Sequence, residues 1–152
     1  MGILEKIRTS FSPKTRMLER LAVVAGRYES LAQRLERHAE LCTYPNIKAG
    51  LEHLAEDEAD QANVLRRILA DLGAWPRLAE TPSHDGSSNW ERVSADLALQ
   101  TELFRELNTQ VVEWEGVDPN VAARLRVFLD GEDRNAGMLR DFALKCDPQA
   151  FD

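Results

Sequence analysis

The sequence predicts an all-α protein, a four-helix bundle made of two antiparallel helical hairpins that a crossover loop joins. Four segments of similar length carry apolar residues at steps of three and four positions, which is the pattern of amphipathic helices. A short break that contains proline divides each half, and a longer loop separates the halves. Because 152 residues are enough for one core, residues 1–152 are expected to form a single domain.

The first hairpin is predicted from two long apolar stripes. Ser12 and Pro13 form a helix start, a capping hydroxyl followed by a proline in the first turn, and the first helix is expected to run to about Cys42. Residues 43–46 break it, and the second helix is expected to end at Gly73, a residue type common just after a helix. The stripes comprise Leu18, Leu21, Ala25, Tyr28, Ala32, Leu35, Ala39 and Cys42, and then Ile47, Leu51, Leu54, Glu58, Gln61, Ala62, Leu65, Ile68 and Leu72.

The loop at residues 73–88 is long enough to cross the whole bundle. Its sixteen residues reach roughly 50 Å when extended, whereas a helix of about 27 residues is roughly 40 Å long. If the loop spans the bundle, the first and fourth helices finish at the same end, and Cys42 and Cys146 are near neighbours. The two cysteines fit no CxxC metal or redox motif, so they are interpreted as buried or capped thiols, and whether they pair stays open.

The second hairpin begins at Ser88, where Glu91 completes the pattern of a capping box. Residues 116–119 break the hairpin, and its second helix is expected to end near Cys146. The stripes comprise Val93, Leu97, Gln100, Phe104, Leu107, Val111 and Trp114, and then Val121, Leu125, Phe128, Glu132, Asn135, Leu139 and Phe142.

An acid interrupts the apolar stripe of the second helix and again that of the fourth. Glu58 and Glu132 stand 74 positions apart, and the residues around them repeat at the same offset. Identical residues at this offset are Pro45, Asn46, Ala49, Leu51, Glu58, Ala62, Leu65 and Arg66 in the first half, and Pro119, Asn120, Ala123, Leu125, Glu132, Ala136, Leu139 and Arg140 in the second. The hairpins are therefore related, and the two acids are expected to face each other in the core.

Facing acids in a four-helix bundle can hold two metal ions. Such sites combine glutamates with a Glu-x-x-His pair on each of two helices, because residues i and i+3 lie on one helix face. Here Glu58 is followed by Gln61 and Glu132 by Asn135, so an amide stands at both positions where such a site has imidazole. In an antiparallel hairpin, residues equally far from the break lie side by side, and on this count Glu29 of the first helix lies at about the same height as Glu58.

The segment at residues 54–65 resembles the second-helix motif of the ferritin-like and rubrerythrin-like superfamily. The resemblance covers roughly residues 13–146 and implies a ferritin-like bundle around a di-iron centre. It implies that Glu58 and Glu132 are the bridging glutamates and that Glu29 is the ligand from the first helix.

The chain departs from the family pattern on three helices. Gln61 and Asn135 occupy the histidine positions, and on the third helix Leu103 stands at the offset of the ligand, with Glu102 as its neighbour. The candidate ligands for iron or manganese are therefore Glu29, Glu58, Gln61, Glu102, Glu132 and Asn135.

Three interpretations of the central residues stay open: a buried polar layer, a metal site that relies on carboxylates, and a proton-handling catalytic site. The polar layer is favoured, because an unpaired buried charge costs several kcal/mol and amides can donate to the acids. The sequence thus favours a non-catalytic protein with a degenerate di-metal site that acts as a homo-oligomer or by binding a partner. The alternative is an oxidoreductase or metal-handling protein that uses iron or manganese.

The composition argues against two classes of partner. The 19 basic and 26 acidic residues give a formal charge of -7 without a basic patch, which argues against nucleic acid. No run approaches the roughly 18 to 20 apolar residues of a membrane span, and no signal peptide is recognised, so a cytoplasmic location is expected. Residues 1–12 form a short amphipathic segment that can pack on the bundle, on a protein partner or on a membrane surface. His38 and His53 are expected to face solvent or to cap helices.

Overall fold

The computed structural model describes residues 12–79 and 85–147. That part of the chain contains four long helices and no strand: α1 (Pro13–Leu41), α2 (Pro45–Asp71), α3 (Asn89–Glu115) and α4 (Pro119–Cys146). The all-α four-helix bundle that the sequence predicts is confirmed. The predicted amphipathic segment lies, apart from its last residue, outside the described residues.

Polar side chains and a glycine mark the helix ends. The Ser12 hydroxyl accepts a hydrogen bond from the N–H of Thr15 at 3.2 Å, and the Ser88 hydroxyl accepts one from the N–H of Glu91 at 3.2 Å. These bonds satisfy amides that have no partner within the first turn of a helix. After α2, Gly73 adopts a φ of 75°, the left-handed region that glycine enters without strain. The local signals in the sequence therefore place the helices correctly.

Each helix packs against two neighbours and lies diagonal to the remaining one. The diagonal pairs are α1 with α4 and α2 with α3. Neighbours run antiparallel, since Arg20 near the start of α1 pairs with Glu113 near the end of α3, and Arg124 near the start of α4 pairs with Asp71 at the end of α2. In sequence order the helices therefore run up, down, down and up.

The crossover follows α1 along the bundle. The N–H of Arg77 donates to the main-chain carbonyl of Ala22 in the first half of α1, at 2.9 Å. Farther along the loop, the carboxylate of Asp85 accepts two hydrogen bonds from Arg37, near the other end of the same helix. The crossover thus spans the bundle, as its length permits.

The two cysteines lie near each other, as a spanning crossover requires. The pKa of the Cys146 thiol is raised by burial and by the neighbouring Cys42. Both thiols are free. The prediction that Cys42 and Cys146 are near neighbours is confirmed, and no disulfide joins them.

The core fills the space between the four helices. Leucine is its commonest residue type, and Tyr28, Trp114 and Phe128 are the largest fully buried side chains. The inward face of α3 differs by about one residue from the predicted stripe, because Leu103 is fully buried whereas Phe104 is only partly buried. Within the described ranges, the helices lack a stretch long and apolar enough to cross a bilayer.

Replacement of Gly26 by alanine is expected to destabilise the fold. A Cβ at Gly26 would collide with the main-chain carbonyl of Arg77, whose N–H is held by Ala22. Because the obstacle is backbone, the crossover itself must shift, and such overpacking typically costs about 1–3 kcal/mol. Urea titration of Gly26→Ala should show a free energy of unfolding lowered by up to about 2 kcal/mol after the gain in helix propensity is included.

Gly137 provides the matched control. It also lies inside a helix, but a Cβ there meets nothing within 4 Å among the described residues. Gly137→Ala should raise the free energy of unfolding by about 1 kcal/mol through helix propensity alone. An equal gain in both variants would show that the crossover is not held against α1 at Gly26.

Candidate functional site: the central polar layer

Glu58 of α2 and Glu132 of α4 meet in the bundle core. Both residues are fully buried, at 0% exposure. Each acid stands where the apolar stripe of its helix faces inward, so the helix that buries leucines one turn away buries the carboxyl group as well. The carboxyl group of Glu58 donates a hydrogen bond to the carboxylate of Glu132.

Burial explains why the two acids share a proton. The pKa of Glu58 is raised to about 10, mainly by burial and then by the charge of Glu132 and the hydrogen bond between the acids. Burial also raises the pKa of Glu132, although hydrogen bonds from Glu58, Gln100 and Gln61 act in the opposite direction. We therefore place a proton on Glu58 at neutral pH, hydrogen-bonded to Glu132.

Amide side chains bind the acid pair from both sides. Asn135 Nδ2 donates to Glu58 Oε1 at 3.2 Å. Gln100 Nε2, from α3, donates to Glu132 Oε2 at 3.2 Å and to the main-chain carbonyl of the same residue at 3.0 Å. Each acid thus has a neutral donor, which stabilises a buried carboxyl group without a cation.

Gln61 and Tyr28 complete this layer. Gln61 Nε2 donates to the main-chain carbonyl of Phe128 at 2.9 Å, and Gly131 makes room for the amide, because a Cβ there would collide with it. Tyr28 packs edge-on against the ring of Phe128, with centroids 5.0 Å apart, and burial and the two acids hold its pKa well above the usual range. We call the following residues the central polar layer: Tyr28, Glu58, Gln61, Gln100, Glu132 and Asn135.

Apart from the hydrogen bond between the two acids, four buried oxygen atoms of the central polar layer have no hydrogen-bond partner among the described residues. They are the hydroxyl of Tyr28, Oε2 of Glu58, Oε1 of Gln100 and Oε1 of Glu132. The proton between the acids can account for one oxygen of each carboxyl group. The phenol and the amide oxygen then remain, and a buried water or a cation would satisfy them.

The structure places Glu29 and Glu102, the two remaining candidate ligands, outside the central polar layer. Glu29 Oε1 pairs with Nη2 of Arg66 at 2.5 Å, and Glu102 Oε1 pairs with Nη2 of Arg27 at 2.9 Å. The side chain of Glu102 is 62% exposed, so this pair lies on the surface. In the core, α1 contributes the phenol of Tyr28 and α3 the amide of Gln100, where the predicted metal site would have carboxylates.

The donor set of the central polar layer does not fit a di-iron centre. Two iron ions require several anionic ligands, whereas burial raises the pKa of both acids here and so opposes their negative charge. The amides of Gln61 and Asn135 are weaker ligands for iron than imidazole. Across residues 12–79 and 85–147, no three His, Cys, Asp or Glu side chains are grouped as metal ligands.

A second buried polar cluster, which was not predicted from the sequence, lies between α1 and α3. The fully buried Asp96 accepts a hydrogen bond from His38 Nδ1 at 2.5 Å through Oδ2, and its Oδ1 lies 3.1 Å from Nη2 of Arg34. The expectation that His38 faces solvent or caps a helix is wrong, since its side chain is 1% exposed. A signal was present, because Asp96 follows Val93 by three positions and precedes Gln100 by four, the spacing of inward residues.

Comparison of the sequence with protein-family models and with curated proteins finds no match. Function is therefore inferred from the geometry of the chain itself. Two buried clusters and the outer surface provide that geometry: the central polar layer, the triad of Arg34, His38 and Asp96, and the side chains that the bundle leaves exposed.

Proposed function

We propose that this chain is a ferritin-like four-helix-bundle protein with a degenerate di-metal site, which acts without catalysis as a homo-oligomer or by binding a protein partner. The observation that supports this most directly is that Glu58 and Glu132 are fully buried and hydrogen-bonded to each other, where burial raises the pKa of both. The carboxyl group of Glu58 lies against that of Glu132, amides bind both of them, and neither has any solvent exposure. Carboxyl groups in this state offer no free ligand or base to a substrate in solution.

The central polar layer is suited to specifying how the helices pack. Asn135 of α4 binds Glu58 of α2, and Gln100 of α3 binds Glu132 of α4, so these hydrogen bonds join three helices at one level. If one helix slipped along its neighbour, these buried groups would lose their partners, at a cost of about 1–3 kcal/mol each. The layer therefore favours one register of the two hairpins.

Exposed apolar side chains support a role for the surface. Trp75 and Leu78 of the crossover are 72% and 94% exposed, and Val112 of α3 and Val127 of α4 are also largely exposed. The free energy falls when a partner covers large apolar side chains that were exposed to water, and aromatic residues are enriched in protein interfaces. Assembly would use these residues without involving the core.

The unpartnered oxygens of the central polar layer favour a second candidate function, metal handling. One hard cation, manganese or iron(II), would replace the shared proton and bind Glu58 and Glu132 together with the free oxygens of Tyr28 and Gln100. A chain of this kind would be a metal-handling protein or an oxidoreductase with oxygen ligands in place of imidazole.

Elemental analysis of the wild type and of a Glu58→Leu/Glu132→Leu variant separates the two candidates. We expect the wild type, purified without chelators, to contain no stoichiometric iron or manganese. The variant should fold with equal or greater stability, since well-packed apolar residues often replace a buried ionised pair without loss. Stoichiometric metal in the wild type that the variant lacks would contradict the proposal and establish the second candidate.

Sedimentation velocity of the same two proteins tests the role of the surface. If assembly uses exposed side chains, both proteins should sediment alike, and faster than a 17.2 kDa monomer. A monomer at every concentration would exclude the homo-oligomer. A change of assembly state in the core variant alone would show that the central polar layer, and not the surface, controls association.

A further inference from the structure

A groove of about 650 Å³ lies on the outside of the bundle between α1 and α3, with one residue of the crossover in its wall. Three glutamates and five arginines line it, an excess of two positive charges in a chain of formal charge -7. The arginines are Arg16, Arg20, Arg27, Arg77 and Arg105. The groove is therefore a local cationic site on an acidic protein.

Two of these arginines are occupied by ion pairs that tie α1 to α3. Arg20 lies 3.4 Å from Glu106 and also pairs with a glutamate beyond the groove, while Arg27 lies 2.9 Å from Glu102. These pairs hold the two walls together and neutralise two of the three glutamates that line the groove.

The other three arginines are available to a ligand. Arg16, Arg77 and Arg105 form no ion pair with any residue in the described part of the chain, and all three are exposed. Glu19 is the remaining acid of the lining. Three guanidinium groups therefore face one groove with one unpaired carboxylate among them.

The position of Arg77 is fixed by the fold. Its N–H donates to the carbonyl of Ala22, and its own carbonyl lies so close to Gly26 that a side chain there would collide with it. This contact brings a residue of the crossover to the groove beside α1. The backbone of Arg77 is therefore already in place before a ligand binds, which reduces the entropy lost on binding.

The floor of the groove provides an apolar contact. Val23 is 36% exposed and lies with Val24 among the arginine stems. The volume falls within the range of about 300–1,000 Å³ that is usual for small-molecule sites. Because screening at physiological salt acts over about 8 Å, the adjacent guanidinium groups outweigh the more distant acids of the chain.

We propose that this groove binds a small phosphate monoester with an apolar body. The forked donors of arginine match phosphate oxygens, and the two charges of a phosphate monoester can pair with Arg16, Arg77 and Arg105, the three arginines of the groove that form no ion pair in the described part of the chain. The apolar body lies on Val23 and displaces water from it. The inference does not rest on the proposed function, because the groove does not involve the central polar layer.

Calorimetric titration with 2-naphthyl phosphate tests the proposal. Wild type should bind this probe saturably, and the variant Arg16→Gln/Arg77→Gln/Arg105→Gln should bind it at least about tenfold more weakly, a loss of about 1.4 kcal/mol. Inorganic phosphate and 2-naphthol should each bind more weakly than the combined probe, since each provides only half of the contacts.

A matched control changes the net charge equally at exposed arginines outside the groove. The variant Arg67→Gln/Arg134→Gln/Arg140→Gln should bind 2-naphthyl phosphate as the wild type does, and far-UV circular dichroism should show both variants folded. The proposal is overturned if the two variants lose affinity equally, if the groove variant binds like wild type, or if wild type shows no saturable binding at millimolar probe. If inorganic phosphate binds as tightly as the ester, the proposed contact between the apolar body and Val23 is wrong.

Discussion

Replacement of Asp96 by asparagine is expected to lower the free energy of unfolding by about 3–5 kcal/mol, because it breaks a buried ion pair by removing one partner. Asp96 is fully buried between Arg34, whose side chain is 11% exposed, and His38. Asparagine preserves the shape, so no cavity forms. The guanidinium loses its counter-ion, and the amide N–H₂ group faces one of the two donors, at a position where an oxygen accepted before.

The control for this change is Asp71→Asn. Asp71 also pairs with an arginine, Arg124 at 2.7 Å, but its side chain is 65% exposed. Exposed pairs contribute about 0–1 kcal/mol, so urea titration should show at most a small loss. Losses of similar size in the two variants would show that Asp96 does not carry a buried charge that stabilises the fold.

The fold and the two central acids are predictable from the sequence because their signals are local. Ser12 caps a helix through its own hydroxyl, and Gly73 ends one through its own φ. Glu58 and Glu132 stand out because a carboxylate interrupts each apolar stripe, and the repeat at 74 positions shows that the two interruptions are equivalent. None of these inferences requires knowledge of how the helices are rotated.

The contributions of α1 and α3 are not predictable in the same way. Counting equal distances from the break between two helices gives the height of a residue along the bundle. It does not give the direction of the side chain around the helix axis, which changes by about 100° from one residue to the next. Glu29 and Tyr28 are therefore at nearly the same height, and only Tyr28 points to the core. Glu102 and Gln100 differ for the same reason. The rotation of each helix is decided by the packing of all four.

The pair of His38 and Asp96 shows a further limit. The two residues are 58 positions apart, and although the spacing of Asp96 marks it as an inward residue, nothing in the sequence identifies His38 as its partner. They meet because the crossover returns the chain to the far end of α1, so that α3 runs antiparallel beside it. A partner defined by topology cannot be identified before the topology is known.

Glu58→Gln is expected to stabilise the protein at neutral pH and to remove a large part of its pH dependence. The pKa of Glu58 is about 10 in the folded protein and 4.5 as its ordinary value, so the acid takes up a proton on folding anywhere between these pH values. Its contribution to stability is fully present below pH 4.5 and is lost as the pH rises towards 10. At pH 7 the loss is about 3 kcal/mol, from about 1.4 kcal/mol per unit of pH.

Glutamine is the appropriate replacement because it reproduces the protonated acid. Its N–H₂ group can donate to Glu132 where the carboxyl group of Glu58 does, and its oxygen can accept from Asn135. The free energy of unfolding of the variant relative to wild type should therefore rise with pH, by about 1.4 kcal/mol per unit between about pH 5 and 8. Urea titrations at several pH values measure this difference directly.

The exposed Glu56 provides the matched control, since Glu56→Gln removes the same charge from the same helix outside the core. Its stability should follow that of the wild type at every pH, within about 0.5 kcal/mol. Infrared spectra at neutral pH should also show a protonated carboxylic acid in the wild type that Glu58→Gln lacks. If the stabilities of Glu58→Gln and the wild type run parallel with pH, the two acids do not share a proton, and the main support for a non-catalytic bundle is lost.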